Sequence, residues 1–100
     1  MGGGLDRIYP SENQHLAAEI VSRGGPLISE LPFASSPRPG SLIARDRLQS
    51  GLSAAALVAQ CGLESGTMHT ARFAARQGRP IFCPVPYGNA RASEGLRALL

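Results

Sequence analysis

Residues 57–79 constrain the fold more than any other stretch. An apolar run, Leu57-Val58-Ala59-Gln60-Cys61, breaks at Gly62 and passes through Leu63-Glu64-Ser65-Gly66-Thr67 into a segment from Met68 to Gln77 that Gly78 stops. The run lacks the alternation of a half-exposed strand, and the segment after the turn has helical spacing. Together they predict a short buried strand, a turn bearing Ser and Gly, and a helix. Such a junction aims the unpaired N–H groups of a helix start at the carboxyl edge of a sheet, where anions bind.

The rest of the chain repeats the alternation. Ser11 has a capping-box spacing to Gln14, and Leu16, Ala17, Ile20 and Val21 form an apolar helical face that ends at Gly24-Gly25. Residues 26–30 read as a short strand with Pro26 at its first position, where proline is tolerated. Pro32, Pro37 and Pro39 make 31–40 a loop, which carries Arg38. Ser41 is placed to cap a second helix running to Gln49 and ending near Gly51. A strand follows over 54–60, a third helix over 66–77 and a third strand over 80–83. The chain then turns at Pro84, Pro86 and Gly88, and a last helix covers 93–100. The order is α/β with parallel strands. Three short strands amount to half of a doubly wound sheet, so the expected architecture is a partial Rossmann-like, three-layer domain with a short parallel sheet flanked by helices. Gly2-Gly3-Gly4 reads as the loop leaving a strand that the sequence does not contain.

Composition narrows the function. One hundred residues is a single-domain length. No apolar run approaches the ~20 residues of a membrane span, and the first residues have no signal-peptide pattern. Two cysteines make no disulfide framework, so a reducing cytoplasm is expected. All ten basic residues are arginine, with a formal net charge of +3 and a pI near 9.5. Arginine's planar fork suits phosphate, which favours a nucleic-acid or nucleotide partner; a high-GC coding sequence produces the same bias without functional meaning. The absence of lysine excludes a Walker A loop, a Schiff base and a lysine-anchored pyridoxal site.

Within this frame Ser65-Gly66-Thr67 reads either as a phosphate cradle or as an ordinary cap and tight turn. Arg45 and Arg47 lie two apart and point to nearly opposite sides of a helix. Arg45 shares its face with Ser41 and is the expected phosphate contact, which leaves Arg47 to brace Asp46, another carboxylate or the proline-rich loop; the alternative is that the pair is a solvated charge cluster. His69, Arg72 and Arg76 fall on one side of the third helix with Arg79 just beyond, opposite Met68, Ala71 and Ala75. They form either a stripe that tracks a DNA backbone or a solvated face. Cys61, Cys83 and His69 match no zinc-ligand spacing, and the cysteines read as buried apolar groups, so neither metal nor cofactor is expected. Gly62-Leu63-Glu64-Ser65-Gly66 is not a nucleophile elbow.

Taken together these residues resemble the DNA processing protein A family (DprA, also called Smf). The resemblance is carried by Arg45-Asp46-Arg47-Leu48-Gln49-Ser50-Gly51-Leu52-Ser53, Ser65-Gly66-Thr67-Met68-His69-Thr70-Ala71, Ala74, and Gly78-Arg79-Pro80-Ile81-Phe82 through Val85-Pro86. Gly4-Leu5-Asp6, Tyr9-Pro10, Asn13, Ser29-Glu30 and Arg38-Pro39-Gly40 extend it over nearly the whole chain. It implies an extended Rossmann fold, non-enzymatic binding and protection of single-stranded DNA, and delivery of that strand to a RecA recombinase in natural transformation; separately, an isolated fragment of this kind is expected to work only within a longer chain or a homodimer that covers the exposed sheet edge. On this footing Arg38, Arg45, Arg47, Ser65, Gly66, Thr67 and Thr70 are the DNA or phosphate contacts, with His69, Arg72 and Arg76 tracking the backbone. The chain departs from the family pattern at Asp46, where asparagine is usual, at Gln60 and at Tyr87, and it lacks the signatures of the family's first half. The alternative is a nucleotide-binding or nucleotide-hydrolysing enzyme of the phosphoribohydrolase type. That type carries Pro-Gly-Gly-x-Gly-Thr and a glutamate on the next helix, whereas here no carboxylate follows the turn until Glu94.

Overall fold

Helix boundaries follow the placement of proline and glycine. The structure, a computed structural model, describes residues 1–86 and 91–100, the side chain of Ala92 excepted. The chain divides into two compact units, Met1–Arg45 and Asp46–Leu100. The expected turn at Gly88, and Tyr87, lie outside the described residues.

In the first unit, Pro10 is extended and opens a single 3-10 turn, Ser11–Asn13, from which α1 (Gln14–Ser22) continues. Ser11 therefore lies inside the turn and does not cap the helix as the capping-box spacing suggested. Gly24 (φ +80°) closes α1, with its own N–H reaching Val21 O at 2.9 Å and the Gly25 N–H reaching Ile20 O at 2.8 Å. That pair of bonds is the Schellman ending. Of the expected apolar face only Ala17 is buried; Leu16 is 46% and Val21 54% exposed.

Residues 26–30 form no strand. A strand needs a neighbour, and here the backbone is met by single contacts instead. The Met1 amine donates to Ile28 O at 2.5 Å and Ser29 Oγ to Gly3 O at 2.7 Å. The glycine run opposite has no room for side chains, since a Cβ on Gly4 would lie 2.6 Å from both Pro32 O and Asp6 Oδ1. Pro39 opens α2 (Pro39–Gly51) at the first helical position, where its missing N–H costs nothing. Ser41 sits two residues further in rather than at the cap. Its Oγ accepts from Arg38 N–H at 2.9 Å, the bond that the third residue of a capping box makes.

The second unit holds a two-stranded parallel sheet in place of three strands. β1 (Ala56–Leu57) pairs with β2 (Ile81–Phe82), Ala56 opposite Ile81 and Leu57 opposite Phe82. Both strands are shorter than expected. α3 (Gly66–Arg76) makes the crossover between them, and α4 (Glu94–Leu99) follows a 3-10 turn at Arg91–Ser93. The core of this unit is Val58, Cys61, Met68, Ala71 and Leu96, with Ile81, Cys83 and Leu99 packed against it. Gly95 lies directly on the loop after β1: its N–H donates to Cys61 O at 3.0 Å, and a Cβ there would meet Cys61 Sγ at 2.5 Å.

Candidate nucleic-acid interface

Ser65 is extended (φ −72°, ψ 145°), and its Oγ accepts from Thr67 N–H at 3.1 Å while its carbonyl accepts from Met68 N–H at 3.0 Å. Two of the first three amides of α3 are thus engaged locally, so the cradle is narrower than an unoccupied helix start. Among the described residues Gly66 N–H makes no hydrogen bond. Gly66 is exposed, and a Cβ built on it would meet nothing within 4 Å. The backbone is therefore open to a ligand at this residue, at the positive end of an 11-residue helix. Thr67 and Thr70 are half-buried beside it.

Along α3, Arg72 and Arg76 are exposed and His69 is half-buried. The buried stripe is Met68, Ala71 and Ala74, with Ala75 exposed, one position off the expected register. Arg79 is drawn into structure: its Nη2 donates to Gly51 O at 2.8 Å, closing the last turn of α2. Gln77, which the sequence did not single out, holds the same junction. Its Nε2 donates to Arg47 O at 2.8 Å, and its Oε1 accepts from the buried Ser50 Oγ at 2.6 Å. The signal for it was the pairing of two helix ends, Ser50-Gly51 and Gln77-Gly78.

The two arginines of α2 differ in exposure. Arg47, in the second unit, is exposed, and Asp46 beside it is buried at 7%, so its carboxylate does not face an approaching phosphate from the surface. Arg45, in the first unit, is half-buried with its Nε buried, and it lines a cavity of about 230 Å³ with Tyr9, Asn13, Leu16 and Leu27. Arg38 is exposed on the wall of a second cleft of the first unit, of about 610 Å³.

Burial, and secondarily the charge of Cys83, push the Cys61 thiol above its ordinary range. Its Sγ contacts Met68 Sδ at 3.6 Å, which makes it a core atom under the helix start. Among the described residues no group of three or more His, Cys, Asp or Glu is arranged to hold a metal ion, and no helix is long and apolar enough to cross a membrane.

A parallel pair joined through a capped turn and a crossover helix, with that helix start open to anions, defines an α/β protein of the Rossmann-like class. The sequence model of the DNA recombination-mediator protein A family matches residues 1–100. The chain is 43% identical to protein Smf of Escherichia coli over 95% of its own length and 25% of that protein's. It is 38% identical to DNA processing protein DprA of Bacillus subtilis over 82% of its length and 27% of the relative's. DNA processing protein A from Helicobacter pylori, solved for its single-stranded DNA binding mode, superposes with a TM-score of 0.79 at 31% identity, over 98% of this chain and 46% of that one. DprA from Streptococcus pneumoniae gives 0.78 at 25% identity, over 98% and 34%. This chain belongs to the DNA recombination-mediator protein A family, and it spans about a quarter of the length of the curated relatives it matches.

Proposed function

We propose that this chain is a single-stranded-DNA-binding part of a DNA-processing protein and that it performs no chemistry on the strand. In the longer proteins of the family it would help protect incoming DNA and pass it to a RecA-type recombinase during natural transformation, in the cytoplasm. The observation that carries the reading is the exposed start of α3, where a Cβ on Gly66 would meet nothing within 4 Å, in a family with a relative solved for its single-stranded DNA binding. Charge supports it: residues 46–100 hold six arginines against three carboxylates, residues 1–45 four against four, so the formal excess of +3 falls on the unit that contains this helix start. Phosphate oxygens meet Gly66 N–H and the hydroxyls of Ser65, Thr67 and Thr70. His69, Arg72 and Arg76 follow the strand outward along α3, and Arg47, whose carbonyl lies against Gln77 at the far end of that helix, supplies charge there. Domain organisation belongs to the same proposal: the chain is one half of a Rossmann-like domain whose other half lies outside these residues.

Anisotropy of a fluorescein-labelled oligothymidylate tests the reading. Gly66→Val leaves the fold intact, because the added carbons enter open space, and weakens binding by about tenfold or more through blocking close backbone approach. Arg47→Glu weakens it further and flattens the salt dependence, since each neutralised phosphate of a single strand contributes a log–log slope of about 0.7. Unchanged affinity in a folded Gly66→Val chain would sink the proposal.

A further inference from the structure

The two cysteines of the chain meet in the core of the second unit. Val58 N–H donates to Phe82 O at 2.8 Å, which carries the pairing of β1 with β2 one residue past the first strand. Cys83 leaves β2 at that level, and Cys61 lies on the loop that leaves β1. Both pack in one apolar cluster with Val58, Met68, Ala71 and Leu96, near enough that charge on Cys83 is felt at Cys61.

Their surroundings differ. Cys61 is buried and Cys83 half-buried. Cys61 also supports both long-range helix starts of the unit. Its Sγ contacts Met68 Sδ, in the first turn of α3, at 3.6 Å, and its carbonyl accepts from Gly95 N–H, in the first turn of α4, at 3.0 Å. An accessible thiol beside a buried second one is the arrangement in which one cysteine takes up an oxidant and the other resolves the product.

We propose that Cys61 and Cys83 form a reversible intramolecular disulfide in response to disulfide oxidants such as glutathione disulfide. The Cys83 thiolate displaces one glutathione thiolate from the oxidant and is left as a mixed disulfide. Cys61 then gives up its proton and attacks the Cys83 sulfur, displacing the second glutathione thiolate. Two electrons pass from the cysteine pair to the oxidant, whose S–S bond breaks as theirs forms, and the two thiol protons end on two molecules of reduced glutathione. In a reducing compartment the pair rests as thiols, and a rise in oxidant closes it. The covalent loop so formed encloses the whole of α3 and ties the exit of β1 to that of β2, so oxidation braces the crossover by restricting the unfolded chain. No DNA enters this chemistry, and it stands or falls apart from the DNA-binding reading.

The test incubates the full, reduced chain with glutathione disulfide under native conditions and follows it by intact mass, peptide mapping and urea denaturation. Wild type should lose about 2 Da, stay monomeric on a non-reducing gel, yield a peptide pair joined through Cys61 and Cys83, and regain its mass in dithiothreitol. Its urea midpoint should rise by about 1 M or more on oxidation. Cys61→Ala should stop at the mixed disulfide, about 305 Da heavier, because no resolving thiol remains. Cys83→Ser changes a half-buried position, and the variant should take up no glutathione and show no rise in midpoint. The inference is overturned if wild type stays unmodified or keeps the glutathione adduct, if the bond joins two chains, or if it forms only in urea, where the fold no longer holds the thiols in place. It is equally overturned if the bond forms within the chain without raising the midpoint, since the crossover is then not braced by it.

Discussion

At the scale of single residues, Cys61 gives the clearest reading of environment into behaviour. It is 5% exposed, and burial first, Cys83 second, raise its thiol above the ordinary value of 9.0. The folded state therefore holds the proton more tightly than the unfolded state. Stability from this source is fully present below the unfolded value and is lost as pH rises from there through the folded one. A chain without lysine has few groups that titrate in this window, so the effect should stand out. The urea midpoint is expected to fall as pH is raised past about 9, and to fall less steeply in Cys61→Ala, which starts lower because of the cavity it leaves. An identical slope in wild type and variant would show that the thiol is not the group responsible. Thiol reagents at neutral pH should label the half-buried Cys83 before Cys61.

At the scale of elements, the second unit depends on two close junctions. α4 meets the loop after β1 through Gly95, where a Cβ would lie 2.7 Å from Cys61 O and 2.8 Å from Gly62 O, both backbone atoms that cannot swing aside. Gly95→Val should thus cost about 2–3 kcal/mol in urea denaturation, the upper range for overpacking, while Gly66→Val costs under about 1; equal losses would contradict the packing. The ends of α2 and α3 meet through Gln77, and Gln77→Ala removes bonds to Ser50 and Arg47. Ser50 Oγ keeps weaker contacts to Asp46 O at 3.3 Å and Arg47 O at 3.2 Å, so the expected loss is only about 1 kcal/mol. These junctions mark the limit of what the sequence made legible. α3, its Ser65 cap and its Gly78 stop were readable because caps and left-handed glycines act within a few residues. The strand at 26–30 failed because pairing is not local: an apolar run becomes a strand only where a neighbour runs alongside it. The exposures of Arg45 and Arg47 were not legible in the sequence for a related reason. Helical phase told that the two diverge, but which of them faced solvent depended on packing partners far away in the chain.

At the scale of the whole molecule, the sheet of the second unit is covered on one side only among the described residues. Ala56, Val58, Ile81 and Cys83 point inward and are half or fully buried, whereas Leu57, Ala59, Phe82 and Pro84 are exposed, Leu57 at 76% and Phe82 at 57%. Parallel sheets are ordinarily covered on both faces, because their strands are apolar throughout. An apolar face open to water agrees with the proposal that the domain continues beyond these residues. It also predicts how this chain behaves by itself. Replacing Leu57 with lysine removes no packed neighbour, so unfolding free energy should change by no more than about 0.5 kcal/mol, the range for surface positions. The same change breaks the patch formed with Phe82, so binding of the dye ANS and self-association at high concentration should both drop. If Leu57→Lys instead destabilises the chain by more than about 2 kcal/mol, as loss of a buried leucine does, then the outward face is already covered in solution and the half-domain reading fails with it.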